Sequence, residues 1–226
     1  MDDGRKGASR DEPVPAPCCF DDWTDDYAKS ARGEDGFASP VTGALFEAIV
    51  QTDLTGKTVL DIGCGVGDVA LRTVAHGAAR AEGYDLSQKM IDEGSRLAAE
   101  RGLADRVQLH VGDGAAVELP SSDVVVLNRV FCCYPDVTRL LENSLGAARS
   151  VYAFTIPPSR GIRGFLARVE TTFENLWYAL RPKKFGGFRV FIHDVDAIDR
   201  RVRSAGFRPV RREVRRLSWH LAVYVR

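Results

Sequence analysis

Apolar residues along this chain gather into short, near-continuous runs separated by stretches with helical spacing. The runs predict strands over 58–62, 80–85, 107–111, 123–130 and 151–156, and the stretches between them predict helices over 68–76, 87–101 and 136–149. Near-continuous apolar strands are those buried on both faces, as in a parallel sheet. Alternation of strand and helix points the same way, because each crossover helix covers one face of the sheet. Ser39-Pro40 reads as an N-cap with proline at the first helical position, opening a helix from Val41 to Gln51. Ser87 is a second N-cap, and Gly206 ends a helix that runs to about Ser204. Two closing strands follow, over roughly 208–216 and 219–225.

Three regions depart from this rhythm. Residues 1–17 carry Pro13, Pro15 and Pro17 among scattered charges and predict a disordered tail. Residues 18–53 form an N-terminal helical cap, in which Phe20, Trp23 and Tyr27 share one helical face. Residues 157–192 interrupt the final domain, 54–226, with an insert: a helix from Phe165 to Leu180, then a basic glycine-containing loop.

With 226 residues, 45% of them hydrophobic and 27% charged, the chain can bury one α/β core with additions at its edges. Thirty-one basic residues balance 31 acidic ones, so there is no global electrostatic footprint for nucleic acid. No apolar run approaches the roughly 18 to 20 residues that span a bilayer, and no signal-peptide pattern opens the chain. The expectation is a cytoplasmic protein without stable membrane insertion. Cys18-Cys19, Cys64 and Cys132-Cys133 have neither zinc-site spacing nor an even count, so reduced thiols and no metal are expected.

The most specific chemistry lies in Val59-Leu60-Asp61-Ile62-Gly63-Cys64-Gly65-Val66-Gly67-Asp68. A strand ends in an acid and is followed by glycines at every second position, which lets backbone approach a ligand closely. A dinucleotide fingerprint needs its third glycine where Asp68 stands, and a carboxylate there disfavours pyrophosphate on the helix N-terminus. A ligand with positive charge and no phosphate fits better. Three further segments follow in order: Ala81-Glu82-Gly83-Tyr84-Asp85, Val107-Gln108-Leu109-His110-Val111 leading to Gly112-Asp113, and Asp123-Val124-Val125-Val126-Leu127 leading to Asn128-Arg129.

Over roughly residues 55–155 these segments resemble the class I S-adenosylmethionine-dependent methyltransferases. The resemblance implies a Rossmann-like α/β fold: a mostly parallel seven-stranded sheet, helices on both faces and an antiparallel final strand. It implies S-adenosylmethionine as cofactor. Gly63, Gly65 and Gly67 would pass beside its methionine portion, and Asp61 would order that loop and place negative charge near the ammonium or sulfonium. Asp85 would accept from both ribose hydroxyls and Asp113 from the adenine amino group. Cys64, Leu86, Gly114, Asn128 and Tyr27 would complete the cofactor contacts, Tyr27 from a cap helix across the mouth.

Methyl transfer from a sulfonium mainly requires alignment and exclusion of water, so catalytic residues are less sharply marked than cofactor residues. His193 is the candidate general base and Tyr134 a second candidate, each with packing as the competing reading. The Asn-Pro-Pro-Tyr-like motif of amino-group methyltransferases is missing after Asn128, which disfavours DNA as acceptor. The insert, with Phe165, Leu166, Val169, Phe173, Leu176, Trp177 and Leu180 beside Arg181, Lys183, Lys184 and Arg189, reads as an apolar lid with a cationic rim, or as a solvated basic loop beside a core helix. The lid suits a flat or apolar small-molecule acceptor bearing an acid, methylated at oxygen; a carboxylate acceptor needs no base. Size and layout are similar to the magnesium-protoporphyrin methyltransferases, although nothing in the insert is diagnostic of a porphyrin. The rival readings are an NAD-dependent oxidoreductase, which Asp68 disfavours, and a non-catalytic S-adenosylmethionine-binding protein. The oligomeric state is left open.

Overall fold

The computed structural model describes residues 18–33, 39–215 and 219–226, so the expected tail over 1–17 lies outside the described residues. Seven strands, β1 (Thr58–Ile62), β2 (Arg80–Asp85), β3 (Val107–Val111), β4 (Ser122–Asn128), β5 (Ala148–Ile156), β6 (Arg208–Arg215) and β7 (Trp219–Val225), form one sheet in the order β3-β2-β1-β4-β5-β7-β6. The first five are parallel, and β7 runs antiparallel to both β5 and β6. The expected Rossmann-like α/β sheet is therefore present.

Alternate side chains of the central strands feed two cores. Val59, Val124 and Val126 point to one face, where α3 (Pro40–Val50), α4 (Asp68–Ala75) and α5 (Gln88–Glu100) pack. Leu60, Ile62, Val125 and Leu127 point to the other, against α6 (Thr138–Ala147) and α9 (Val195–Ser204). Val124 to Leu127 are fully buried, which stabilises the centre of the sheet by roughly 2 kcal/mol per side chain.

The sequence reading needs adjustment at several boundaries. The helix expected over 136–149 ends at Ala147, and Ala148 already pairs with Ser122, so β5 starts three residues earlier than expected. The N-terminal aromatic helix is two pieces, α1 (Cys18–Asp21) and α2 (Thr24–Arg32), broken at Asp22-Trp23. In the insert, α7 (Gly161–Ala179) begins four residues before the expected start, and the basic loop contains a short helix, α8 (Pro182–Phe185).

Strand order reverses between β1 and β4, the topological switch point where open α/β sheets bind ligands at the carboxyl ends of their strands. A cleft of about 230 Å³ lies there. Its floor comes from the loops after β1, β2 and β4. Its roof comes from α1, α2 and the insert, where Phe20, Trp23, Tyr178, Phe185 and Phe188 interlock with ring centroids 4.8–6.3 Å apart.

Candidate active site

The floor begins with the glycine loop. Gly63 has φ +68°, and a Cβ built on it would stand 2.3 Å from Val130 Cγ2, so any side chain at this turn is strained. Gly65 and Gly67 also have positive φ, which accounts for glycine at every second position. The loop is held by backbone donation from Gly63 and Cys64 to the Tyr84 carbonyl at 2.7 and 3.1 Å.

Asp61, the penultimate residue of β1, faces the cleft with 2% of its surface exposed. The Ala70 backbone N–H, in the first turns of α4, donates to its carboxyl, but Oδ2 is buried without a hydrogen-bond partner. Burial, followed by the nearby charge of Asp85, pushes the Asp61 carboxyl up to about 8. An unsatisfied buried carboxyl oxygen is costly unless a donor or cation meets it.

Asp85, at the end of β2, accepts from Gly65 N–H at 2.8 Å through Oδ2 and from Ser87 N–H at 3.0 Å through Oδ1. Burial raises its carboxyl against those donors. Each oxygen keeps a lone pair that can accept from a vicinal diol. Ser87 caps α5 by accepting from Met90 N–H and donates its hydroxyl to Asp21 Oδ1 at 2.5 Å, which fixes α1 above this acid.

Asp68 also lines the cleft, but its carboxylate accepts from Arg72 Nε at 2.7 Å, one helical turn on. Its charge is compensated locally by that pair. Paired in this way, Asp68 repels a phosphate less than a free carboxylate at that helix N-terminus would.

Of the remaining expected cofactor residues, Cys64, Leu86, Gly114, Asn128 and Tyr27 line the cleft beside Gly63 and Gly65. Gly67 stands behind the loop as the N-cap of α4, and Asp113 stands beside the lining rather than in it. Asp113 Oδ1 accepts from the Tyr134 hydroxyl at 2.6 Å and from Ala115 N–H at 2.9 Å. Asn128 is clamped, donating to Thr42 Oγ1 and accepting from Thr155 Oγ1, both at 2.9 Å.

The two candidate catalytic residues are placed differently. Tyr134 lines the cleft, but burial and its bond to Asp113 hold its phenol far above the ordinary range, which makes it a donor rather than a base. His193 lies outside the lining. Its Nε2 contacts the Tyr134 carbonyl at 2.9 Å, and burial lowers the ring's basicity. No histidine lines the cleft among the described residues.

The mouth carries residues that are weakly signalled along the chain or not at all. Arg129 follows β4 with φ +61°, an uncommon conformation for a residue with a side chain. Its backbone N–H donates to Thr155 Oγ1 at 2.8 Å, and its guanidinium lies 5.1 Å over the Trp219 ring and 3.5 Å from the Tyr27 hydroxyl. It is the one basic side chain among the described residues that line the cleft. Glu174 and Tyr178 enter from α7, Phe188 and Val190 from the segment behind it, and Cys133 from the turn after Arg129. Trp219 reads in sequence only as the start of an edge hairpin.

The apolar stripe of α7 does not form the underside of the lid. Phe165, Phe173, Leu176 and Leu180 are 55–71% exposed and point away from the cleft. The helix packs inward through its small and polar residues instead. Gly164 lies against Ser159, where a Cβ would meet backbone carbon at 2.4 Å. Ala167 is buried beside it, and Asn175 exchanges hydrogen bonds with the Val190 backbone.

S-adenosylmethionine fits this floor. The orphaned Asp61 oxygen asks for a cation or donor, Asp85 has acceptor capacity left for ribose, and the left-handed glycines bring backbone to the space between them.

Comparison with known proteins agrees with that geometry. The family described as methyltransferase domain matches residues 59–149. Ribosomal protein L11 methyltransferase of Actinobacillus succinogenes is 40% identical over 89 residues, 39% of this chain and 30% of that protein, so the chain spans less than a third of the curated relatives it matches. Magnesium protoporphyrin IX methyltransferase from Synechocystis PCC 6803, solved with bound S-adenosylhomocysteine, superposes with TM-score 0.66 at 20% identity, covering 93% of this chain and 97% of that one. An O-methyltransferase family protein from Burkholderia thailandensis superposes with TM-score 0.68 at 16% identity, covering 92% of this chain and 59% of that one. The matched residues hold β1 to β4 and the start of β5, so residues 59–149 match a methyltransferase domain in sequence, and the chain shares the fold of S-adenosylmethionine-dependent methyltransferases.

Proposed function

We propose that this protein methylates a carboxylate oxygen of an apolar, flat small molecule. The observation that carries the reading is the layout of the cleft, with the acids Asp61 and Asp85 on its floor and, at its mouth, Arg129 among aromatic rings and beside Glu174. Asp61 and Asp85 would hold the cofactor's cationic and ribose ends. When bound, that group supplies an electrophilic methyl on sulfonium sulfur. The chain's own residues then bind, orient and exclude water. Arg129 draws an anionic acceptor to the mouth, and Trp219, Tyr178 and Phe188 cover its apolar body. A carboxylate is already ionised at neutral pH and loses no proton on methylation, which suits a cleft lined by no histidine among the described residues. The neighbour that acts on magnesium protoporphyrin IX, matched along nearly its whole length, has an acceptor of this kind.

The test uses the full chain with methyl-labelled cofactor and two probes, protoporphyrin IX for carboxylates and a phenolic flavone for hydroxyls. Label in an alkali-labile ester on the carboxylate probe is expected, with the acceptor KM raised roughly tenfold by Arg129→Ala. Alkali-stable label on the flavone alone would overturn carboxylate methylation. Cofactor binding without transfer to any carboxylate-bearing acceptor would favour a binding protein instead.

A further inference from the structure

Seven large apolar residues of α7, Ile162, Phe165, Leu166, Val169, Phe173, Leu176 and Trp177, and Leu180 at its C-cap are each 39–80% exposed. Their spacing puts them on one stripe about 120° wide, centred opposite the packed side of the helix that carries Gly164, Ala167, Thr171 and Asn175. The stripe therefore faces outward along the length of the helix, on the far side of the roof from the cleft. A contiguous apolar surface of this extent marks an interaction site.

Charge identifies the occupant. The whole chain is neutral, but residues 160–190 hold seven basic and two acidic side chains. Arg163 flanks the stripe near its start, and Arg181, Lys183 and Lys184 follow its end, with the Arg181 guanidinium 4.3 Å over the Trp177 ring. Arg189 is exposed on the segment that returns beside the helix, while Arg160 pairs with Asp194 and Asp196, and Lys184 lies 3.6 Å from Asp22. Another copy of this chain would bring the same cationic margin against itself across a twofold axis. Residues 1–17 contain only Met1 and Val14 as large apolar side chains, too few to cover the stripe.

We infer that α7 and the following basic turn dock the protein on an anionic lipid surface, the helix lying in the interface plane with its stripe among the acyl chains. A helix with aromatic and aliphatic residues on one face and cations at its margin binds membranes in this way. No helix among the described residues is long and apolar enough to cross a membrane, so the attachment is peripheral. The inference is independent of the acceptor.

Full-length protein is floated with phosphatidylglycerol–phosphatidylcholine vesicles and with phosphatidylcholine vesicles, and its mass is followed without lipid. Binding to the anionic vesicles, roughly tenfold or more weaker on neutral ones and in high salt, is expected. Phe173→Glu/Leu176→Glu and, separately, Lys183→Glu/Arg189→Glu should each abolish it while the melting shift given by S-adenosylhomocysteine stays as in the parent, which shows that the variants fold. Absence of binding to anionic vesicles, or equal binding by the folded Phe173→Glu/Leu176→Glu variant, overturns the proposal. A parent that is dimeric without lipid and becomes monomeric in that variant, with no vesicle binding, assigns the stripe to a second copy and overturns it as well.

Discussion

Asp61→Asn is expected to make the ligand-free protein more stable and a poorer cofactor binder, and the gain in stability should depend on pH in a defined direction. The Asp61 carboxyl is held at about 8 against an ordinary 3.8. Below about pH 4 the folded and unfolded chains both keep this proton, so the group contributes nothing. Between about 4 and 8 the unfolded chain has released it and the folded chain has not, so stability falls by about 1.4 kcal/mol per pH unit. Above about 8 both states are ionised and the full penalty is present, on the order of 5 kcal/mol before local rearrangement and water entry reduce it. Asparagine does not titrate and can keep the acceptor for Ala70 N–H. The variant should therefore match the parent near pH 4 and exceed it by roughly 2–4 kcal/mol at pH 9, or about 5–10 °C in melting temperature for a chain of this size. Differential scanning calorimetry of both proteins without ligand, at pH 5, 7 and 9, reads the gap. Titration calorimetry at pH 9 should show S-adenosylmethionine bound at least about tenfold more weakly by the variant. A gap that is constant with pH, or a variant less stable than the parent at pH 9, would refute the idea that Asp61 is a strained acid waiting for a cation.

Other perturbations separate floor, loop and mouth. Asp85→Ala removes the acceptor for Gly65 N–H, and the melting shift produced by S-adenosylhomocysteine should vanish. Gly63→Ala forces a side chain into left-handed backbone and into Val130, at a cost of about 2–4 kcal/mol by chemical denaturation. Tyr134→Phe loses one hydrogen bond to Asp113, worth about 1 kcal/mol, and should leave the pH dependence of kcat unchanged. A missing basic limb in that profile would show that Tyr134 does move a proton.

Much of the floor was legible in the chain because it is local. A buried strand, an acid at its end and glycines at alternate positions define the turn, and Asp85 closes it from the neighbouring strand by the same logic. What escaped was relational. The stripe on α7 announces one apolar face, but spacing cannot say which way that face points, and Gly164, which decides it, reads as a helix breaker. Arg129 looked like an ordinary residue after a strand, since nothing local signals its left-handed conformation or Trp219 beneath it. His193 is a candidate base in sequence because titration near neutrality is a property of the residue type. Its bond to a backbone carbonyl belongs to the fold. The break at Asp22-Trp23 follows from packing of Phe20 and Trp23 on Phe185 and Phe188, residues more than 150 positions away.

The roof over the cleft is contributed entirely from outside residues 59–149, by segments that meet through interlocked rings. Floor and roof thus come from separate stretches of the chain. Exchanging residues 18–32 and 161–190 as a matched pair should transplant acceptor choice between proteins sharing this sheet, whereas exchanging either alone leaves mismatched aromatics at the seam.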